Sequence, residues 1–369
     1  MAGVYIHIPF CRQACHYCNF HFTTSLLYKP ALVAAILQET ELQKEYLKGE
    51  SLSTIYIGGG TPSLCTKDEL RSILAKLKES FIVEENAEVT LEVNPDDISS
   101  TQLISWKDIG ITRLSIGVQS IFEEDLRWMN RAHTAKQALE NVQLARKYFD
   151  NITIDLIYGT PLLTDEKWKA NVDFAVSMEI PHLSCYALTV EQKTPLEKMI
   201  RLKKTAPVES DGQSAQFLLL MKWLAAAGYE HYEISNFAKP GFRSKHNSSY
   251  WQGKKYLGLG PSAHSFNGQE RQWNVSNNTT YINSLQQSVV PFEKEVLTET
   301  QRLNEYIMTA LRTIEGIDLG LFNNEQELQL IRGSKRYTDT NLMVYQDRKL
   351  VLTDEGKLLA DGIAADLFF

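Results

Sequence analysis

No stretch of this chain approaches the roughly eighteen consecutive apolar residues that a membrane-spanning helix needs. The opening residues, MAGVYIHIPF, show neither the basic n-region nor the apolar h-region of a secretory leader, so the sequence is expected to be cytoplasmic and unanchored. Basic charge is also scarce, with 38 Lys and Arg against 45 Asp and Glu, a net charge of −7. That balance argues against broad attraction to nucleic acid or anionic lipid. Cysteine is rarer still. Five in 369 residues cannot build a disulfide framework, and three of the five crowd into IHIPFCRQACHYCNFHF, residues 6–22. An odd count with such clustering points to reduced thiols that bind metal or react. Neither a repeat of solenoid period nor a low-complexity tract is present.

What is there is an alternation of short β-branched runs with longer amphipathic stretches, the pattern of strand–helix units around a parallel sheet. Strands are predicted at 3–8, 53–59, 87–94, 113–120, 151–159 and 182–190. Helices are predicted at 30–48, 67–80, 99–109, 122–147 and 165–179. The expected fold is α/β, an open six-unit relative of the β/α barrel, whose chemistry sits at the C-terminal ends of the strands. After residue 190 the rhythm breaks. A helix is expected near 211–227, a Gly/Asn-rich run follows at 253–278, and a Thr-x-x-Gln capping pattern opens another helix at 297–313. Residues 342–368 read as a strand pair and a helix. Two domains are therefore expected, 1–290 and a small helix-rich, winged-helix-like domain at 291–369.

Cys11, Cys15 and Cys18 follow the first strand directly and so lie on one loop at the barrel mouth. Zinc would want a fourth ligand, for which Cys65, Cys185, His7, His16 and His21 are available. A [4Fe–4S] cluster on three cysteines instead leaves one iron open to a substrate. Buried structural cysteines would not be interleaved with Arg12, Gln13, His16 and Tyr17. Other strand ends add a glycine-rich turn in YIGGGTPS (56–63), able to meet a ligand backbone closely, and polar groups at Glu92, Gln119 and Asp155. Each of these alone is also what a satisfied core or capping residue looks like.

Taken together, YIHIPFCRQACHYC, GGGTPS, LEVNP, GVQS, MNRAH, IDLIYGTP, CYALTVE, HNSSYW and LGLGPSAHSF resemble the radical S-adenosylmethionine (SAM) proteins of the oxygen-independent coproporphyrinogen oxidase group, and most closely its heme-chaperone branch. The resemblance covers nearly the whole chain. It implies that Cys11, Cys15 and Cys18 hold a [4Fe–4S] cluster whose fourth iron SAM caps. It further implies that Tyr5 and Tyr17 flank cluster and adenosine, that Gly59, Gly60 and Thr61 contact the methionine amino group, and that Glu92, Gln119, Arg131 and Asp155 line the rest of the SAM site, with Ala187 beside the adenine. The implied chemistry is one-electron cleavage of SAM to methionine and a 5′-deoxyadenosyl radical, with the electron supplied by a flavodoxin- or ferredoxin-type donor.

Two features separate the branches of that group. The oxidases carry a further cysteine two positions after the third, where this chain has Phe20, and they tend to have a longer segment before the cluster than the ten residues that precede Cys11 here. Coproporphyrinogen oxidase activity is thus the disfavoured alternative, and heme binding with transfer to an acceptor protein is expected. The His-Asn-x-x-Tyr-Trp pattern falls on His246, Asn247, Tyr250 and Trp251, inside a window rich in Lys and Arg (Lys239, Arg243, Lys245, Lys254, Lys255) that two heme propionates would favour. The other reading of that window is a solvated basic loop packed on the barrel. His264, in PSAHSF, is a competing iron ligand.

Overall fold

The computed structural model describes residues 1–369. Six parallel strands form its centre: β1 (Ala2–Ile8), β2 (Leu52–Gly59), β3 (Val83–Val93), β4 (Arg113–Gln119), β5 (Ile152–Tyr158) and β6 (His182–Ala187), paired in sequence order. The helices α1 (Lys29–Leu42), α2 (Lys67–Ser80), α3 (Ser100–Asp108), α4 (Glu123–Trp128), α5 (Ala135–Ala145) and α6 (Asp165–Ser177) connect them. Strand residues alternate between two environments. Val4, Ile6 and Ile8 are buried against the helices, whereas Gly3, Tyr5 and His7 face the barrel interior, where Tyr5 Oη lies 3.0 Å from His7 Nδ1. The helices answer with apolar faces. In α2, Leu70, Ile73, Leu74 and Leu77 are buried at helical spacing, and a Thr66/Glu69 capping box fixes the start.

All six predicted strands form, but one predicted helix does not. The stretch 122–147 is broken into α4 and α5, because Asn130 adopts a left-handed φ of 57° and Thr134 opens a new capping box with Gln137. The break matters for the site, since it presents Arg131.

Antiparallel strands extend the sheet at both edges. The hairpin β7 (Glu230–Glu233) and β8 (Asn236–Ala238) follows α7 (Pro195–Arg201) and α8 (Ser210–Ala226) and continues from β6. Beyond β1 lie β9 (Tyr256–Leu259), β10 (His264–Phe266), β11 (Glu270–Asn274) and β12 (Phe292–Val296). Between these edges, α9 (Lys245–Trp251) sits at the N-terminal end of the barrel strands, its first N–H groups donating to Glu88 on β3. The helix α10 (Asn278–Gln286) packs on α1. The large sheet thus continues past residue 290, as far as Val296.

A second, smaller apolar core begins at α11 (Glu299–Leu311), whose Thr298/Gln301 capping box was legible in the sequence. It gathers β13 (Ile317–Asp318), α12 (Asn324–Asp339), β14 (Met343–Gln346), β15 (Lys349–Leu352), α13 (Asp354–Lys357) and α14 (Ala360–Asp366) around a three-stranded antiparallel sheet, a winged-helix-like arrangement. No helix is long and apolar enough to cross a membrane.

Candidate functional site

The C-terminal ends of the six strands surround a cavity of about 400 Å³, within the range of small-molecule sites. Cys11, Cys15 and Cys18 line it on one side, on the loop that leaves β1. That loop is held from several directions. Arg12 donates to Asp97 at 2.7 Å, and Ser63 donates to the other oxygen of the same carboxylate. Gln13 donates to the Asn130 side chain at 2.7 Å, and Asn130 donates back to the Ala14 carbonyl. The backbone of His16 bonds to Met129 and to Leu196. The broken helix α4/α5 is therefore what clamps the cysteine loop.

Arg131, delivered by that break, is the central cation of the site. One guanidinium nitrogen lies 3.5 Å from Cys15 Sγ and 3.5 Å from the Tyr17 hydroxyl, and the other donates to Asn94 Oδ1 at 2.6 Å and to the Gly117 carbonyl at 2.8 Å. Its Nε is buried with no partner. Burial pushes the Cys11 thiol up to about 11, opposed by a hydrogen bond to Thr61, and raises Cys18 as well. The raised values favour the protonated form of Cys11 and Cys18 until a cation replaces the protons.

Against the cysteine loop, Gly59 and Gly60 form the turn after β2. Gly59 has φ of +111°, and a Cβ on Gly60 would lie 2.6 Å from the Phe10 carbonyl and 3.0 Å from Cys11 Sγ. Glu92 accepts from the Tyr56 hydroxyl at 2.8 Å and from the Gly59 N–H at 3.0 Å. Burial, helped by Asp155, pushes its carboxyl up to about 7, and burial takes Asp155 up to about 6. Gln119 ends β4 with φ of +66°, a strained conformation for a residue with a side chain, at the cavity wall.

Twelve of the cluster and SAM residues expected from the sequence line this one cavity: the three cysteines, Tyr17, Gly59, Gly60, Thr61, Glu92, Gln119, Arg131, Asp155 and Ala187. Tyr5 does not. It lies one layer deeper, bonded to His7 and stacked on Tyr56, with ring centroids 6.1 Å apart. Sequence reasoning missed Asn94, which bridges Arg131 and Thr61, and Ser115, which donates to Asp155 at 3.5 Å. The only signal for Asn94 was its place at the end of the third strand, in LEVNP.

The donor set suits a cluster with an open iron. Cys65 and Cys185 are buried in the main core and line no part of the cavity, so neither offers a fourth thiolate. Nowhere do three His, Cys, Asp or Glu side chains converge on the position of a single metal ion, as the roughly 2.3 Å Zn–S bonds of a zinc site would require. Three thiols facing a shared cavity instead match a polynuclear cluster, which spreads its ligands over several irons.

The His-Asn-x-x-Tyr-Trp motif lies away from this cavity and does not present its histidine. His246 on α9 is 1 % exposed, stacked on Tyr56 at 5.1 Å, with Nδ1 2.8 Å from the Thr54 hydroxyl and Nε2 2.8 Å from the Tyr250 hydroxyl. Both ring nitrogens are hydrogen-bonded within the fold. Asn247 is half-buried, and Trp251 lies beneath the Arg312 guanidinium at the second core. Three of the five expected propionate partners are engaged, whereas Lys245 and Lys254 are exposed and in no ion pair. Arg243 is held by Glu230 and Glu315, Lys255 by Glu50, and Lys239 by the Ala227 carbonyl. The motif helix builds the floor of the barrel.

Fold and cavity together define the class. Residues 5–175 match the model of the radical SAM superfamily. The structure resembles the coproporphyrinogen III oxidase HemN of Escherichia coli with a TM-score of 0.85 at 23% identity, covering 100% of this chain and 90% of that one, a likeness of fold. In sequence, the chain is 32% identical over 376 residues to the heme chaperone HemW of Mycobacterium tuberculosis, covering 99% of this chain and 94% of that one. It is likewise 32% identical to the heme chaperone HemW of Bacillus subtilis, with 98% of each covered. The chain belongs to the radical SAM superfamily and, within it, to the HemW family.

Proposed function

We propose that this protein binds heme and passes it to an acceptor hemoprotein while carrying a [4Fe–4S] cluster and SAM. Membership of the HemW family over nearly the full length supports heme handling. The observation that carries the SAM part is the convergence of three thiols, the Gly59–Gly60 turn, Arg131 and two buried carboxylates on one cavity. Cys11, Cys15 and Cys18 hold the cluster, and Arg131 beside Cys15 balances thiolate charge. When bound, the cluster supplies an open iron and a low-potential electron to SAM. The Gly59–Gly60 turn admits the amino acid end of SAM, because no Cβ intervenes. Glu92, Gln119 and Asp155 offer acceptors along the rest of the ligand, with Ala187 and Tyr17 bounding it. A flavodoxin- or ferredoxin-type protein supplies the electron from outside.

Phe20, 67 % exposed at the cavity mouth, puts an apolar ring where the oxidases have their further thiol. Conversion of coproporphyrinogen is not expected. The test uses protein reconstituted anaerobically with iron and sulfide, then incubated separately with hemin and with coproporphyrinogen plus SAM and reductant. The reading predicts stoichiometric heme binding, SAM binding and unchanged porphyrinogen. Protoporphyrinogen above background, or no heme binding at micromolar concentration, contradicts it.

A further inference from the structure

A cluster on the cysteine loop needs an electron from outside the chain, and one surface beside that loop stands apart in charge. The chain carries a net charge of −7, yet residues 193–204 hold Lys193, Lys198, Arg201, Lys203 and Lys204 against the single carboxylate of Glu197. All five cations are exposed. Only Arg201 is in an ion pair, with Glu197 one helical turn before it. Four lysines are thus left without an anionic partner in an acidic protein.

This segment is fastened directly to the cysteine loop. The Leu196 N–H donates at 2.8 Å to the carbonyl of His16, which lies between Cys15 and Cys18, and the Leu196 side chain is buried with Met129 in a small apolar cluster that Tyr17 and Trp128 pack against. The Trp128 indole donates to the Thr205 hydroxyl at 2.9 Å, and the Trp128 carbonyl lies 2.8 Å from His16 Nδ1. On α7, Leu196 and Ile200 face that apolar cluster, so Lys198 and Arg201 point away from it. The chain then leaves α7 through a Schellman turn, in which the Lys203 N–H bonds to the Ile200 carbonyl and the Lys204 N–H to the Met199 carbonyl. Lys203 takes the left-handed position of that turn, with φ of 54°, where glycine is usual. Between Arg201 and Lys203, Leu202 is 53 % exposed.

We propose that α7 and residues 202–204 dock the acidic face of a small one-electron carrier protein, which reduces the cluster from this side. The proposal rests on the cluster reading and names where its electron donor binds. Unpaired cations in an acidic chain steer a negatively charged partner to this one face and repay it with charge complementarity. Leu202 supplies an apolar contact inside a polar rim, as small transient interfaces do. On docking, one electron passes from the reduced carrier to the cluster and the carrier leaves oxidised by one electron, with no bond or proton exchanged. The helix α7 is all that separates the docked face from the His16 carbonyl, a thickness of about 10 Å. An anionic bilayer suits the surface less well, because the apolar face of α7 is turned inward and Leu202 alone is left for lipid.

The test titrates a fluorescently labelled acidic bacterial flavodoxin with the full-length, reconstituted protein at low and high ionic strength, and follows cluster reduction by EPR in parallel. The variants are the double reversal Lys198→Glu/Lys204→Glu, Lys203→Gly, which keeps the turn, and a control reversal of two exposed, unpaired lysines elsewhere, Lys147→Glu/Lys335→Glu. The proposal predicts wild-type binding that weakens with salt, a loss of about tenfold or more in Lys198→Glu/Lys204→Glu, a smaller loss in Lys203→Gly, and wild-type affinity in the control. Thermal stability and reduction by dithionite should be unchanged in every variant. Wild-type affinity in Lys198→Glu/Lys204→Glu, an equal loss in the control, or no flavodoxin binding by the wild type overturns the docking surface and leaves the cluster reading standing. Binding to phosphatidylglycerol vesicles that is lost in Lys198→Glu/Lys204→Glu while flavodoxin still binds overturns it in favour of lipid. A wild type in which dithionite generates no cluster signal removes the cluster reading and the docking surface with it.

Discussion

The hydroxyl of Tyr250 lies 2.8 Å from Nε2 of His246, one helical turn away on α9, and the Thr54 hydroxyl lies as close to Nδ1. The pair closes the barrel floor beneath Tyr56, which in turn donates to Glu92 at the cavity. In this fold the motif helix braces the barrel floor and is coupled through two contacts to the base of the cavity.

Replacing His246 with Ala should therefore act first on stability. Two buried hydroxyls lose their partner and a void opens under Tyr56, a combination that costs about 2 to 4 kcal/mol. Urea denaturation of the apoprotein checks this. A loss below about 0.5 kcal/mol, the range of an ordinary surface substitution, would mean that the ring is not packed as described.

The sequence carried the six strands because parallel strands buried on both faces read as β-branched runs, as in STIYIGG and NITIDLIYG. Most of the cavity residues it carried fall where those strands end, and Tyr17, Arg131 and Ala187 came through the family resemblance. The break of 122–147 at Asn130 was not legible, since amphipathic spacing continues on both sides and the cause is tertiary: Asn130 is pinned to Gln13 and Ala14. The ion pairs of residues 239–255 were not legible for a similar reason. Lys239, Arg243 and Lys255 look free in the sequence, and their partners Ala227, Glu230, Glu315 and Glu50 are brought in by the fold.

Arg131 should matter more for its geometry than for its charge. A Lys in its place keeps one cation but cannot reach Cys15, Asn94 and Gly117 together, because an ammonium lacks the planar fork. Arg131→Lys is expected to assemble less cluster and to bind SAM about tenfold more weakly, a difference of about 1.4 kcal/mol. Iron content and equilibrium dialysis with SAM measure both, and wild-type values would show that charge alone suffices.

Gly60→Ala tests the turn. The new methyl would meet the Phe10 carbonyl and Cys11 Sγ, so the cysteine loop must shift. Reconstituted Gly60→Ala should hold less iron than wild type, whereas Gly253→Ala, at an open surface turn, should match it. Equal iron in both would contradict the close packing of turn and loop.

Stability should fall in acid. His7 and His231 are held down to about 4, and His133 and His246 to about 3, mainly by burial. Because the unfolded chain takes up these protons near pH 6.5, the stability they contribute is full above that pH and is lost as pH falls toward 4. Glu39 and Glu92, raised to about 7, and Asp155, raised to about 6, work the other way, losing stability as pH climbs through those values. The histidines outnumber the acids, so urea midpoints should drop between pH 6.5 and 4.5. In Glu39→Gln the decline between pH 6 and 7.5 should be smaller than in wild type. Identical profiles for the two proteins would mean that Glu39 is ionised in the fold at pH 6.

The central claim, a cluster on three thiols whose remaining iron is open to SAM, is tested most directly by EPR of the reduced, reconstituted protein with and without SAM. Wild type, Cys65→Ala and Cys185→Ala should each show a [4Fe–4S] signal that changes when SAM is added, and Cys11→Ala, Cys15→Ala and Cys18→Ala should show little or none. A signal indifferent to SAM in the wild type, or one lost in Cys65→Ala or Cys185→Ala, would contradict it.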